Sequence, residues 1–587
     1  MKQPSPPHVL REYAIVADGE RGGLFGPTGS LVWLCFPRFD DPALFSALIG
    51  GAGEFAVQPQ GRFVWGGYYE DGSLIWRNRW VTADGSVVEC REALALPSSV
   101  DTAVILRRVR VETGTCDLEI NLNPRADYGK SPLRRWRRDG TMWQATAGGV
   151  HLRMRAALRL HDEPDGHGGR RLCGAVHMEE GEQHDLVLEL STDDFSDDPP
   201  DADISWERTT RRWKEWLPTP DTKTAGRDAR HACAVLRGLT SSSGAMVAAL
   251  TTSLPERADR GRDYDYRYCW IRDVTMAALA VDAAAPQSDL VEQWGCFVRD
   301  RVLEHGRDLA PAYRADGRAV PAPTHLELPG YPGGHDVVGN QVRDQFQLDI
   351  FGDALLLFAV LARRGALDGD GWRAAELAVQ AIAERWDEPD SGIWETDPQW
   401  FAASRLTCVA GLRALAAAGA SERAVAEWTA LADRLVAETT RRCTHPSGRL
   451  QRAEDDERID AGLLVPLLRG ALSADDPRVR ATVDAVRDEL TVDGYVYRYR
   501  VDSRPLGDAE GAFLLCGFLM ARAELLTGDP VASARWFERT RASCGPPGLY
   551  SEEFDVGERQ LRGNLPQAFV HALMLEAAAE QEDGPVS

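Results

Sequence analysis

From residue 226 onward the apolar positions recur three and four apart in twelve stretches, at roughly 226–240, 272–285, 288–305, 343–364, 371–386, 401–418, 421–442, 459–472, 477–490, 508–527, 530–543 and 563–581, the period of a helix with one buried face. Asp476 before Pro477 and Asp529 before Pro530 each set an N-cap carboxylate ahead of a proline at the first helical position. The joins alternate in length. Short ones centre on Pro286, Gly365 to Asp370, Gly419, Ala474 and Gly528, and long ones cover 241–271, 306–342, 387–400, 443–458, 491–507 and 544–562. In a ring of helices running alternately up and down, every second connector leaves at the same end. The six long connectors therefore converge on one mouth, where function is expected. Pro466 interrupts the eighth stretch, and its missing N–H predicts a kink there.

The first 200 residues follow a different period. Ser73–Arg79, Ser86–Arg91, Ala103–Val111, Asp117–Leu122 and Asp185–Leu190 alternate apolar with polar and are separated by Gly, Asp and Pro turns, the pattern of half-buried strands. This predicts an all-β domain over 1–200, a sandwich. An acidic, proline-containing linker follows at Asp193–Asp203. Residues 201–225 form a charged linker helix whose Trp206, Trp213 and Trp216 pack across the junction as core tryptophans, and 226–587 form the helical domain.

Composition narrows the function. A formal net charge of −23, with 90 acidic against 67 basic side chains, disfavours nucleic acid and anionic membranes, which are bound by displacing counterions with Lys and Arg. A neutral small molecule fits better. Residues 1–19 carry no apolar core of signal-peptide length and no run approaches a membrane span, so a cytoplasmic location is expected. The eleven cysteines lie singly, without CxxC pairs, and are expected to be reduced and mostly buried. His325 and His335 share one loop without tight ligand spacing, and no phosphate-cradling glycine motif occurs. Neither a metal nor an organic cofactor is expected.

Candidate chemistry falls on the long connectors. Asp390-Ser391-Gly392-Ile393-Trp394-Glu395 is a turn that sets a Trp beside a Glu; an aromatic wall desolvates a carboxyl and keeps it protonated, as a general acid requires. Gly548-Leu549-Tyr550-Ser551-Glu552-Glu553 supplies two adjacent carboxylates, of which one is expected to face a pocket. An acid and a base from opposite walls are the equipment for cleaving a glycosidic bond. Tyr264 to Asp273 crowds four aromatics, two Arg and two Asp ahead of a helix, suited to stacking on a sugar and hydrogen bonding its hydroxyls.

These residues also carry a resemblance. Gly244-Ala245-Met246-Val247-Ala248-Ala249 leading to Thr251-Thr252-Ser253-Leu254-Pro255-Glu256, then Asp265 to Asp273, Gln347-Leu348-Asp349, Gly392 to Glu395, Glu510-Gly511-Ala512-Phe513, Ser551-Glu552-Glu553 and Gly563 to Phe569 resemble the bacterial glucoamylase-like glycoside hydrolases of family fifteen. Trp33 to Asp40 looks like that family's N-terminal signature. The resemblance implies an all-β plus all-α multidomain chain, an N-terminal β-sandwich followed by a C-terminal (α/α)6 barrel, in agreement with the helix count. It implies Glu395 as general acid and Glu552 as general base, with Trp270, Arg272 and Asp273 around the non-reducing-end glucose and Trp394, Arg498 and Arg500 as further pocket residues. Inversion at the anomeric carbon would require the two carboxyls roughly 6.5 to 9.5 Å apart.

After Glu395 the chain departs from the family pattern. Thr396-Asp397-Pro398-Gln399-Trp400-Phe401-Ala402-Ala403-Ser404-Arg405 is shortened, with Ala at the usual aromatic and Arg for Lys. This stretch, Trp400 above all, is expected to border the leaving group. The expected activity is exo-hydrolysis of short α-gluco-oligosaccharides of maltose or isomaltose type, with α,α-trehalase as the alternative within the family. An inverting phosphorylase, which needs an anion site in place of a base, and a catalytically inactive sugar-binding protein are the readings from other classes.

Overall fold

The structure is a computed structural model and describes residues 7–195, 198–258, 261–502 and 504–583; parts of the N-terminal stretch, of the acidic linker and of two long connectors lie outside the described residues. Two antiparallel eight-stranded sheets fill the N-terminal half. One orders Ala14–Ala17, Gly22–Phe25, Ser30–Cys35, Glu54–Pro59, Cys116–Asn123, Arg170–Met178 and His161–Pro164, with Ala43–Phe45 paired to Ser30–Cys35. The other orders Arg137–Asp139, Met142–Ala147, Val150–Ala156, Gln183–Ser191, Thr102–Thr113, Val87–Leu94, Trp76–Thr82 and Phe63–Tyr69. The alternation in the sequence is the alternation in space. Along Cys116–Asn123 the even-numbered residues are buried and the odd-numbered ones are not, and Ile120 sits opposite Val57 and Gly174 in register.

Helix α1 (Ala202–Trp216), capped by Asp201, bridges to the helical half. Trp206 and Trp213 are buried, the Thr209 hydroxyl accepts the Leu96 N–H of the sandwich at 3.0 Å, and Trp216 lies under the guanidinium of Arg237.

The helical half, among the described residues, holds twelve helices: α2 (Gly226–Gly238), α3 (Ile271–Ala284), α4 (Leu290–His305), α5 (Asp349–Arg363), α6 (Gly369–Arg385), α7 (Ala402–Ala416), α8 (Glu422–Cys443), α9 (Leu464–Leu468), α10 (Pro477–Glu489), α11 (Leu514–Leu526), α12 (Pro530–Arg541) and α13 (Ala568–Asp583). Helices α3, α5, α7, α9, α11 and α13 pack in sequence, and α13 closes back on α3. They form the inner ring; the even-numbered helices lie outside. The Asp476 and Asp529 side chains accept the N–H groups of Arg478 and Ala532, with Pro477 and Pro530 opening their helices.

The eighth stretch corrects the expected kinked helix. A 3-10 turn, Ala461–Leu463, leads into α9, which is only five residues long and carries Pro466 in its first turn. There the absent N–H has no intrahelical partner to lose, and Gly470 at φ +77° closes the segment. Helices α5, α11 and α13 begin later than the apolar period implies, which assigns Gln347, Glu510 and Gln567 to the mouth connectors.

The sandwich is docked on the connector between α2 and α3. Trp33 Nε1 donates to the Leu250 carbonyl at 2.8 Å. Arg267 pairs with Asp265 through Nε and Nη2 at 2.8 and 2.7 Å, and its Nη1 reaches the Asp41 carbonyl at 3.0 Å. Both side chains are fully buried. The cysteines are unpaired, all buried except Cys173, Cys296 and Cys544. No helix among the described residues is long and apolar enough to cross a membrane.

Burial makes Arg267 the connector's most demanding contact. Arg267→Met should destabilise the protein by about 3–5 kcal/mol, because it strands the Asp265 carboxylate in a dry interior. Chemical denaturation checks this, and a loss below about 1 kcal/mol, the range of an exposed pair, would show that water reaches Asp265.

Candidate active site

Each inner helix starts at the end where the long connectors emerge, and residues at or near those starts line one concave pocket of mixed polar and aromatic character. Its walls come from the α2–α3 connector (Glu256, Arg262, Tyr264, Tyr266), from α3 (Arg272, Met276), from the turn Ile393 to Glu395, from Arg498 and Phe513 before α11, and from Glu552 and Phe569 around the start of α13.

Glu395 is held on a strained turn. Its φ is +56°, a left-handed conformation that a glutamate adopts only when its surroundings impose it. The imposing contacts are on Asp390. Its Oδ1 accepts from Gly392 N and Ser404 Oγ, both at 2.8 Å, and its Oδ2 pairs with Arg405, which is itself buried. The turn is closed by Glu395 N donating to the Gly392 carbonyl at 3.1 Å. The carboxyl is then aimed by Trp270, whose Nε1 donates to Glu395 Oε1 at 2.7 Å, while Arg272 Nη1 lies 3.6 Å from the same oxygen. Burial raises the Glu395 pKa, against the Arg272 charge and the Trp270 hydrogen bond, which favour ionisation.

Arg272 is the pivot of the pocket floor. Its Nη1 donates to the Ile393 carbonyl at 2.7 Å and its Nε to Asp273 Oδ1 at 3.0 Å. Asp273 is fully buried beneath it, and its Oδ2 has no hydrogen-bond partner among the described residues. Trp394 lines the pocket and anchors through Nε1 to Asp460 Oδ1 at 2.7 Å. Arg498 lines it too, held in a fork by Glu510 at 3.0 and 2.7 Å.

Glu552 and Glu553 face opposite ways. Glu552 lines the pocket and accepts the Tyr266 hydroxyl at 3.2 Å. Glu553 turns inward to accept Gly511 N at 2.6 Å. Burial, then the neighbouring Glu256 carboxylate, pushes the Glu552 pKa well up.

Two expected site residues lie elsewhere. Trp400 is clasped between the guanidiniums of Arg405 and Arg442, 4.4 and 4.7 Å from its ring, and lines a separate open groove with Asp387 and Pro398. Arg500 is exposed and contacts backbone carbonyls at 3.4 Å. Trp400 is buried, its Nε1 donating to Asp387 Oδ1 at 3.2 Å, while Ser404 and Arg405 hold Asp390. Trp400 and Arg500 therefore do not line the pocket of Glu395 and Glu552, contrary to expectation.

Conversely, Glu256, Arg262 and Gln341 line the pocket without having been singled out. Glu256 is buried, accepts Arg262 Nε at 2.7 Å, and has its pKa pushed up to about 7, first by burial and further by the charge on Asp263. The sequence offered Glu256 only as the last residue of the run Thr251 to Glu256 that shares in the family resemblance, with no role attached to it. His325 and His335 contact Asp336 and Asp263, and no cluster of three or more metal-ligating side chains occurs among the described residues.

The chain is similar to known proteins over nearly its whole length. A family model described as "Glycosyl hydrolases family 15" matches residues 234–579, and one described as "Trehalase-like, N-terminal" matches 5–213. A protein named trehalase from Mycobacterium tuberculosis is 33% identical over 98% of this chain and 90% of its own length. One from Mycolicibacterium smegmatis is 31% identical over 98% and 91%, and trehalase 1 of Sulfolobus acidocaldarius 28% identical over 94% and 95%. The solved structure of a bacterial glucoamylase complexed with acarbose aligns over 100% of this chain and 96% of its own, with a TM-score of 0.75 at 14% identity, and so shares the fold.

Because Trp400 does not reach the pocket, Trp400→Ala should lower stability by about 3–5 kcal/mol, as loss of a buried Trp does, and leave relative kcat/KM across a panel of α-glucosides unchanged. A changed ranking of maltose, isomaltose and trehalose would return this residue to the leaving-group side.

Proposed function

The chain belongs to glycosyl hydrolase family 15 and is a glycoside hydrolase, and from that premise we propose that it hydrolyses α,α-trehalose to two glucoses with inversion at the attacked carbon. Glu395 is the general acid and Glu552 the general base. The observation that carries the chemistry is that these two carboxyls line one pocket from separate connectors, one aimed by Trp270 and the other by Tyr266. The choice of trehalose over the maltose- or isomaltose-type sugar expected from the sequence is supported by whole-length similarity to proteins named trehalase.

In this reading one glucose sits on Arg272 and Trp394 with Asp273 below. Glu395 donates its proton to the bridging oxygen as the bond to the anomeric carbon breaks. Glu552 draws a proton from the water attacking the opposite face, through an oxocarbenium-like transition state. The Trp270 N–H and the Arg272 charge then stabilise the Glu395 carboxylate that remains, an interaction stronger after proton transfer than before it. Arg272 and Asp273 hold one another, so losing either leaves a buried polar group unpaired and costs every substrate alike.

Two measurements test the roles. Glu395→Gln and Glu552→Gln should each lower kcat by about 10² to 10⁴ with the fold intact; near-normal turnover of a folded variant removes that residue from the mechanism. The wild-type rate should fall at high pH as Glu395 loses its proton, which burial displaces upward from the ordinary glutamate range. Stereochemistry is sharper still. Inversion at one carbon of trehalose gives β-glucose, while the leaving glucose keeps its own C–O bond and emerges as α-glucose. Proton NMR should therefore show equal α and β anomers before mutarotation. Two α anomers would mean retention, glucose 1-phosphate would mean phosphorolysis, and faster turnover of maltose than trehalose would restore the maltose-type reading.

A further inference from the structure

Glu256 has no part in the chemistry described so far, yet it is built against the base. Its carboxyl and that of Glu552 line one pocket and share a single hydroxyl donor. The Tyr266 hydroxyl touches Oε1 of both, at 3.5 Å from Glu256 and 3.2 Å from Glu552. Both carboxyls are almost wholly buried, and Oε2 of Glu552 has no hydrogen-bond donor among the described residues. Two buried carboxylates gathered on one hydroxyl offer each other only acceptors, and neighbouring like charges are costly out of water; a proton held between them would satisfy both.

We propose that Glu256 is the proton-sharing partner of the catalytic base: Glu256 and Glu552 hold one proton between them, and the pair takes up the proton of the attacking water as a unit. This rests on the assignment of Glu552 as base. Arg262, 2.7 Å from Glu256 Oε2, favours the charge on Glu256 in the resting enzyme, which leaves the shared proton toward Glu552. As the water oxygen bonds to the anomeric carbon and the glycosidic C–O bond breaks, Glu395 gives its proton to the leaving oxygen. The water proton passes to Glu552, and the proton Glu552 already held passes to Glu256. The pair goes from monoanion to neutral and Glu395 from acid to carboxylate, so the charges balance. Glu256 acts through Glu552 and does not touch the sugar carbon.

The groups facing the pair come from every neighbouring element. Tyr264, Tyr266, Arg262 and Asp263 stand on the α2–α3 connector, Arg272 on α3, Arg498 and Glu510 before α11, and Glu553 beside Glu552. Arg498 lowers the affinity of the pair for its proton, and it does not change between the variants below.

The acid limb of kcat/KM against pH separates sharing from mere proximity. A shared proton stabilises the first negative charge on the pair, so the limb lies low. Glu256→Leu should move its midpoint up by about one pH unit or more, since it leaves a lone desolvated Glu552. Glu256→Gln should leave it near the wild-type value, its amide N–H replacing the shared proton. If Glu256 were only a neighbouring charge, both variants would move the limb down; that result, or an unmoved limb in Glu256→Leu, overturns the proposal. Should Glu256→Leu not fold, infrared difference spectra at neutral pH decide with the Gln variants alone. Sharing requires Glu256→Gln and Glu552→Gln each to remove the same protonated-carboxyl band, and loss from one or neither refutes it. A fully active Glu552→Gln would instead remove the base assignment itself.

Discussion

All six inner helices begin at the mouth, and this fixes what the site can contain. A helix start presents unpaired N–H groups and the positive end of the backbone dipole, so six of them around one pocket favour buried carboxylates. The distribution follows. Asp273 and Asp349 lie in the first turns of α3 and α5, Asp460 caps the turn into α9 through Gly462 N at 2.7 Å, and Glu552 precedes α13. The excess of negative charge is then met by arginines that each span two elements, Arg272 from α3 to the Glu395 turn and Arg262 from Glu256 to Glu510. A neutral sugar entering such a pocket finds donors and acceptors already oriented, which is the preorganisation that electrostatic catalysis needs.

The two catalytic carboxyls of the proposed mechanism differ through their supports. Glu395 sits on a left-handed turn fixed from behind by Asp390 and Arg405, and receives one N–H from Trp270. The Trp270 and Gln347 side chains and one guanidinium 3.6 Å away favour the carboxylate, yet burial remains the leading influence on its proton affinity. On Glu552 the charge of the Glu256 carboxylate outweighs that of Arg498 or of Arg272, so its ionisation depends on the protonation of a second group. The same low dielectric that protonates an isolated acid thus makes the base a paired titration.

The helical ring was legible because a twelvefold amphipathic period is redundant: a misplaced boundary of a few residues does not change which connectors share an end. The sandwich was legible for the same reason, through strict alternation. What failed was everything decided by contacts distant in sequence. Trp400 looked like a pocket residue because it follows Glu395 closely, yet Arg405 and Arg442 take its two faces. Arg498 and Arg500 look equivalent in the sequence, but Arg498 is buried against Glu510 whereas Arg500 is exposed. Pro466 read as a kink because the apolar period ran through it, whereas the chain starts the helix at that point. Glu256 was invisible as chemistry, since nothing local to it shows that Glu552 lies beside it.

The misplacement of Trp400 bears on specificity. If the stretch after Glu395 were shaped by the leaving group, its departure from the family pattern would report a changed substrate. Instead Ser404 and Arg405 hold Asp390, and so serve the orientation of Glu395 whatever sugar is bound. Arg405 in place of the family's lysine suits that task, because a planar fork reaches the Asp390 carboxylate and the Trp386 and Glu388 carbonyls together, which a single ammonium cannot match in geometry. In the proposed function, discrimination among leaving groups falls to the pocket's remaining walls, where Arg262, Tyr264, Gln341, Phe513 and Phe569 lie. These are a mixture of fixed donors and aromatic faces. Under the proposed trehalose hydrolysis these are the groups that would meet the hydroxyls of the second glucose, and a buried polar group left unmatched there would cost binding.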